Sequence, residues 1–484
     1  MKRMVWIVVT VAVLSGCVFL GAGCSKQVKE RTKYEVVVEY KPLDNALTGT
    51  VKMDFFNHSE GELDCLQLQL YPNAYRKGAI YSGVGYDVMT EAYYAGESYG
   101  EISISSVLGC ASFTVGGEDR NILYAQLEKP LAPTERITLD IGFSTRLAEV
   151  NAPLGKTKSA VNFAGAFPTA CALTDNGFYE CVPSDVGQAV FGDCADYFVR
   201  LTLPREYRLA CAGEIVEEKT LESKKQYTMS ATNMRDFTFS LSALYASLEG
   251  YTGKTRVGYY HEKDERADEV LALAAKAVGY YSSIFGEYPH ERLTLLQTNI
   301  VQKAVDYAGV CMLSKGLTGD ALVWSTLTKI AAQWWYSAVG ANRVETAWIV
   351  DGLSAYSAAL FLDAHPEYGR AKKQLIVDAR MEYDSYRDTY KKALGWVDTR
   401  MNRPLSTFLN AYEYRCISEC KAVVMFSELE KAVGNKRFLS SLRKYYAENL
   451  YGKATPAHLA GAFERNGLGV AGFLESYWSG KGTF

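Results

Sequence analysis

The stretch from Trp324 to Tyr356 constrains the fold more than any other part of the chain. Val323, Leu327, Ile330, Ala331, Trp334 and Ala338 recur at spacings of three and four, the period of a buried helix. Gly340 is placed to close that helix, and Asp351-Gly352-Leu353 opens a second one that runs to about Leu362 with an acidic first turn. Trp334, Trp335 and Trp348 fall at helical spacing and are expected in the core.

The pattern upstream is different. From Lys33 to about Gly250 the runs are β-like, among them 34–40, 46–56, 64–70, 137–143, 197–203 and 236–241. Leu66, Leu68 and Leu70 share one face, and Gly and Pro clusters punctuate the runs. This predicts a twisted antiparallel sheet or sandwich over residues 30–250. The period changes near Tyr251. A strand is expected at 255–261, followed by a helix carrying Val270, Leu273, Ala274, Ala277, Val278, Tyr281 and Phe285, stopped by Gly286 and Pro289. Strands at 292–298 and 309–313 precede a mainly helical remainder from Thr318. The fold class read from this order is α+β, in two parts of 30–250 and 251–484.

Several short marks resemble one family. Gln333-Trp334-Trp335, Val339-Gly340 and Trp348-Ile349-Val350-Asp351-Gly352-Leu353 are similar, at matching spacings, to the Gln-Trp-Trp, Val-Gly and Trp-x-x-Glu-Gly-Leu marks of the membrane alanyl aminopeptidases, a group of gluzincin zinc peptidases. Upstream, Leu70-Tyr71-Pro72-Asn73-Ala74, 195–199, Leu203-Pro204 and Asn233-Met234-Arg235-Asp236-Phe237 look like the same family's N-terminal saddle-shaped β domain. The resemblance implies a thermolysin-like peptidase part after the β domain. No C-terminal helical-repeat domain of the longer members is expected.

The register of the resemblance puts Thr328 and Ala332 where the family has its two zinc-ligating histidines, and Lys329 where it has the general-base glutamate. Two imidazoles one helical turn apart would converge on one ion; a threonine hydroxyl is a poor substitute and an alanine offers no lone pair. Lys329, cationic at neutral pH, cannot accept a proton from a metal-bound water. Of the metal set only Asp351 remains as a candidate ligand, in place of the family's glutamate. The histidines His58, His261, His290, His365 and His458 are scattered, so no zinc or other cofactor is expected.

The family's amine-gripping glutamate corresponds to Asp306, beside Tyr307, and its oxyanion-steadying tyrosine to Glu419, with Tyr412 and Tyr414 as alternatives. A carboxylate at the last position would repel a developing oxyanion. Asp306, Tyr307, Asp351 and Lys329 are therefore the candidate binding residues. Lys329 either pairs with Asp351, partly replacing the charge of the absent dication, or reaches out to solvent.

Met1-Lys2-Arg3 followed by an apolar run from Met4 to Leu14 reads as a secretory signal. Cys17, after Leu14-Ser15-Gly16, and Cys24, after Gly21-Ala22-Gly23, resemble lipobox cysteines. Residues 1–24 are thus expected to be a lipoprotein signal that tethers an extracytoplasmic body to a membrane, with an uncleaved anchor as the alternative. A net charge of −3 over 484 residues with 22% charged gives no basic face for nucleic acid. Cys171, Cys181 and Cys194 are close enough in sequence to pair in an oxidising compartment, or to remain buried thiols.

Four functions are compatible with these residues. The first is a catalytically silent peptidase homologue that binds peptides or protein N-termini. The others are an active aminopeptidase with unusual metal ligands, a carboxylate-based hydrolase of another kind, and a structural envelope module.

Overall fold

The structure, a computed structural model, describes residues 30–481. The expected signal segment, with Cys17 and Cys24, lies outside the described residues. From Arg31 onward the chain forms one compact unit. No helix among the described residues is long and apolar enough to cross a membrane.

The first half is built from sheets. A seven-stranded sheet has the order Glu214–Thr220, Lys224–Met234, Ala195–Pro204, Lys33–Lys41, Ala46–Phe56, Arg136–Arg146, Glu101–Leu108. All its pairings are antiparallel except Lys33–Lys41 with Ala195–Pro204. In the central strand Tyr34, Val36, Val38 and Tyr40 are buried and alternate with more exposed residues, the period-two pattern of a sheet with one covered face. That face shares a core with Leu66, Leu68, Leu123 and Ala125 of a four-stranded sheet. The expected strand at 236–241 is shorter, Phe239–Ser242, because Asp236 turns away to bond the backbone of Ala308.

The second half is organised on a five-stranded sheet ordered Ala246–Thr252, Thr255–His261, Arg292–Thr298, Val310–Ser314, Ala304–Tyr307. The three inner strands are parallel and both edges antiparallel. The sheet begins before the expected boundary at 251, because Ala246–Thr252 folds back on Thr255–His261 through Gly253, whose φ of 57° suits a tight turn. Every residue of Arg292–Thr298 is buried. Leu293 and Leu295 face the core of the helical lobe, whereas Leu296, Val310 and Met312 belong to the core of the β half. The sheet is therefore covered on both faces, as parallel strands require.

The helix Ala267–Phe285 matches its apolar stripe and ends at Gly286. The helix Gly319–Ala332 passes into a π-helical turn, Gln333–Ala338, before Gly340 ends it with φ of 67°. The second helix runs Ala347–Ala364, so Asp351 lies one turn in and not in the first turn as the sequence suggests. The helix starts early because Asn342 accepts from the N–H groups of Val344 and Glu345, which ends the loop sooner. Trp334, Trp335 and Trp348 are fully buried. Each indole N–H has a partner: Gly286 O at 2.9 Å, Ser357 Oγ at 3.0 Å and Asn402 Oδ1 at 2.6 Å. The cysteines of the described residues, Cys171, Cys181 and Cys194 included, are free thiols.

Candidate functional site

A cleft of about 440 Å³ opens where the two halves of the chain meet. The sheet edge Ala304–Tyr307, the helix Gly319–Ala332 and the helix Ala347–Ala364 bring Tyr307, Lys329 and Asp351 to it, whereas Asp306, on the same strand as Tyr307, is fully buried and does not line it. Gln333, first residue of the π-turn, fixes how the sheet edge meets the helix. Its amide donates to Tyr307 O at 2.9 Å and accepts from Gly309 N at 2.9 Å.

The partner of Lys329 is Asp306, at 3.2 Å, and not Asp351 as proposed from the sequence. Asp306 is fully buried, and its second carboxylate oxygen takes Arg343 Nη2 at 2.5 Å. A carboxylate lying between two cations is compensated, which is what permits its burial. Burial would lower the Arg343 pKa, but the adjacent Asp306 and Asp351 charges hold it above its ordinary value. The guanidinium also sits 4.1 Å from the Tyr336 ring centroid and donates to Gln188 Oε1 at 2.9 Å. Asp306 is thus committed within the protein and does not stand as an open amine anchor.

Asp351, half-buried, accepts a hydrogen bond from the Tyr414 hydroxyl, and Tyr414 lines the cleft. Burial raises the Tyr414 pKa well above the phenol range, with the Asp351 charge adding to it. Tyr412 is exposed on the outer surface. Glu419 lies in a second π-turn, Cys416–Lys421, and lines a different cavity. Of the three residues considered for the tyrosine's position, it is Tyr414 that reaches the cleft. Thr328 is partly buried, and its hydroxyl donates to Trp324 O at 2.9 Å and Ser325 O at 3.2 Å; Ala332 presents a buried methyl group. Among the described residues no three His, Cys, Asp or Glu side chains are grouped so as to hold a metal ion.

In the wall of the cleft, Arg235 secures the π-turn by donating to the carbonyls of Tyr336, Ser337 and Ala338 at 2.9–3.0 Å, and to Gly192 O at 3.0 Å. Its neighbour Asp236 accepts from Tyr336 OH at 2.9 Å and from Ala308 N at 3.1 Å. Burial pushes Asp236 up to about 6, against the opposing pull of those two donors. His290, hydrogen-bonded to Ser337 Oγ at 2.7 Å, is pushed down to about 3 by burial and by nearby Arg235. Sequence reasoning missed Arg343 and Gln188. The one signal was an arginine set between two apolar helices, where a buried cation needs an acid.

No protein-family profile matches this chain, and no curated protein is similar to it. Solved structures are similar. An M1 zinc metallopeptidase from Deinococcus radiodurans, in a glutamate-to-alanine mutant form, superposes with a TM-score of 0.65 at 15% identity over 94% of this chain and 95% of its own. The same mutant bound to a Tyr-Ser-Ala substrate gives 0.63 at 14% identity, covering 93% of this chain and 94% of its own. The M1 zinc metallopeptidase without that mutation gives 0.62 at 14%, over 93% and 92%. The chain has the M1 metallopeptidase fold. The agreement over nearly its full length means that the antiparallel β half and the helical half both belong to that fold. Fold is separate from chemistry, and in the M1 fold of this chain the chemistry rests on the residues described above.

Proposed function

We propose that this chain is a peptidase-fold protein that binds peptides, protein N-termini among them, in its cleft without hydrolysing them. The observation that carries this reading is the Asp306–Lys329–Arg343 cluster, whose two cations line the cleft while its carboxylate is buried. In the register of the M1 marks, Lys329 stands where a general base would be, and its ammonium, paired with Asp306, has no lone pair to take a proton. Zinc does not fit the residues present. Ala332 has no donor atom, the neutral Thr328 hydroxyl is not among the thiolate, imidazole and carboxylate ligands that zinc takes, and a second cation beside Lys329 would be repelled.

What remains can hold a peptide. Lys329 is partly exposed to the cleft and has donors to spare for a ligand carbonyl, while Asp351 with Tyr414 offers an acceptor. The Tyr-Ser-Ala complex of the D. radiodurans protein is a precedent for a short peptide on this fold. In the same proposal the apolar segment from Met4 with Cys17 or Cys24 tethers the body to a membrane outside the cytoplasm.

Metal analysis of the purified protein, a panel of aminoacyl arylamides and calorimetric titration with Tyr-Ser-Ala test the reading together. Saturable peptide binding without turnover, weakened by Asp351→Ala, is the expected result. Stoichiometric zinc with chelator-sensitive turnover refutes it in favour of the active aminopeptidase.

A further inference from the structure

The short helix Ala411–Arg415 runs into the π-turn Cys416–Lys421, which sets two cysteines four residues apart, Cys416 and Cys420. Residues so spaced share one helix face, with Cα atoms about 6 Å apart by helix geometry. A disulfide spans roughly 4.4–6.8 Å between Cα atoms, and the wider π-turn brings such residues closer into line along the axis. Both sulfurs are directed at one residue of the helix Lys372–Leu394. Cys416 Sγ donates to Glu382 O at 4.0 Å, and Cys420 Sγ to Glu382 Oε2 at 3.9 Å. The two thiols also lie within hydrogen-bonding reach of one another, and both are free.

The two thiols are not equivalent. Arg415 Nη1 donates to Cys420 Sγ at 3.8 Å, and the Tyr412 hydroxyl reaches Cys416. The hydrogen bond from the Cys420 thiol holds the Cys416 thiol below its ordinary value, and the Tyr412 hydroxyl and the Arg415 charge act the same way against burial. Cys420 is raised by that hydrogen bond and by burial. The other seven cysteines among the described residues are all raised, chiefly by burial. Cys416 is therefore the thiol best prepared to ionise. Both residues are buried, but only one side chain deep. Cys420 lines a cavity of about 250 Å³, and Tyr412, which lies against Cys416, is exposed.

We propose that Cys416 and Cys420 form a redox-active dithiol, which closes to a disulfide by exchange with a low-molecular-weight disulfide and reopens with the corresponding thiol. The Cys416 thiolate attacks one sulfur of the small disulfide; a mixed disulfide forms on Cys416 and one small thiolate leaves. Cys420 then loses its proton and attacks Cys416 Sγ, forming the internal disulfide and expelling the second small thiolate. In sum the protein dithiol gives up two electrons and two protons, and the small disulfide becomes two thiols. Arg415 and Tyr412 hold the attacking sulfur as thiolate, and the spacing of the turn supplies the resolving sulfur without a long-range rearrangement. The dithiol stands apart from peptide binding in the cleft and does not depend on it.

The test uses the full-length protein, equilibrated at neutral pH in mixtures of reduced and oxidised glutathione, quenched with acid, then denatured, alkylated and digested with trypsin. Cleavage after Arg415 and Lys421 leaves both cysteines in one hexapeptide, Cys-Ile-Ser-Glu-Cys-Lys, so closure reads as the loss of both alkyl groups and of two hydrogens in mass. This peptide is expected to close in the oxidising mixtures, to reopen with dithiothreitol, and to react at least about tenfold faster than Cys211 or Cys311, whose burial keeps them protonated. Cys420→Ser, whose hydroxyl can still donate to the thiolate, is expected to accumulate the glutathione adduct on Cys416, whereas Cys416→Ser should leave Cys420 open to alkylation. A wild-type hexapeptide that stays doubly alkylated in the most oxidising mixture, or that closes no faster than Cys211 and Cys311 react, overturns the proposal. So does an adduct that forms as fast on Cys420 in Cys416→Ser as on Cys416 in Cys420→Ser. The wild-type measurement decides closure by itself, whether or not either variant folds.

Discussion

Lys329→Met removes one of the two cations that hold Asp306. The carboxylate is fully buried; Arg343 remains on one oxygen at 2.5 Å, and the other oxygen, with no hydrogen-bond donor besides the ammonium at 3.2 Å, is left bare. Losing a charged contact of this kind costs about 2 kcal/mol, less than stranding a buried ion altogether because Arg343 still compensates the charge. Unfolding a body of this size carries an entropy of roughly 1 kcal/mol per degree at the midpoint, so the melting temperature should fall by about 2 °C. The informative measurement is a double-mutant cycle by calorimetry with Asp306→Asn. In the Asp306→Asn background Lys329→Met should be nearly neutral, giving a coupling of about 1.5–2 kcal/mol. A parallel cycle with Asp351→Asn should give much less. Because Asp306 is fully buried and Lys329 only partly exposed, 0.5 M salt should reduce the coupling less than it would for a surface pair. Additivity of Lys329→Met and Asp306→Asn within about 0.5 kcal/mol, or a larger coupling to Asp351, would refute the ion-pair argument.

Two further outcomes follow from Asp236 and Gly340. Asp236 holds its proton more tightly in the folded protein, at about 6, than an aspartate does in an unfolded chain. Its contribution to stability is therefore complete below about pH 4 and is lost as the pH rises through 6, by up to about 3 kcal/mol. The melting temperature of wild type should fall relative to Asp236→Asn between pH 4.5 and 7.5, and a constant difference between the two refutes the assignment. In Gly340→Ala the added Cβ would lie 2.1 Å from Arg235 Cζ, at a backbone φ of 67° that alanine disfavours. Stability should fall by about 3 kcal/mol or more, read as a lower melting temperature; a drop below about 1 °C would mean that Arg235 can move aside.

How much of this was legible in the sequence depended on whether a feature is local. The helix Ala267–Phe285 and the strand Arg292–Thr298 follow from periodicity, and the buried tryptophans from their spacing. The strand Ala304–Tyr307 left no trace because four residues carry too little period; only its pairing with Val310–Ser314 defines it. That omission led directly to the wrong partner for Lys329. Asp351 is the acid that helix–loop–helix reasoning supplies, whereas Asp306 arrives from the edge of a sheet. The π-turn was equally hidden, since Gln-Trp-Trp-Tyr-Ser-Ala reads as ordinary α-helix until Arg235 is seen holding its carbonyls. The identity of the cleft tyrosine turned on a few residues of spacing. A second π-turn at Cys416–Lys421 carries Glu419 away to another cavity and leaves Tyr414 facing Asp351.

The five-stranded sheet has a consequence for how such a protein can be divided. Its neighbouring side chains point alternately into two hydrophobic cores, Leu295 into one and Leu296 into the other. Severing the chain near residue 243 would not release two independent bodies. The C-terminal piece would present Leu296, Val310 and Met312 to water, and the N-terminal piece would lose the floor on which its own core rests. Fusion partners, protease sites or reporter insertions therefore belong at exposed turns such as 117–118, and any recombination between relatives should exchange both halves together.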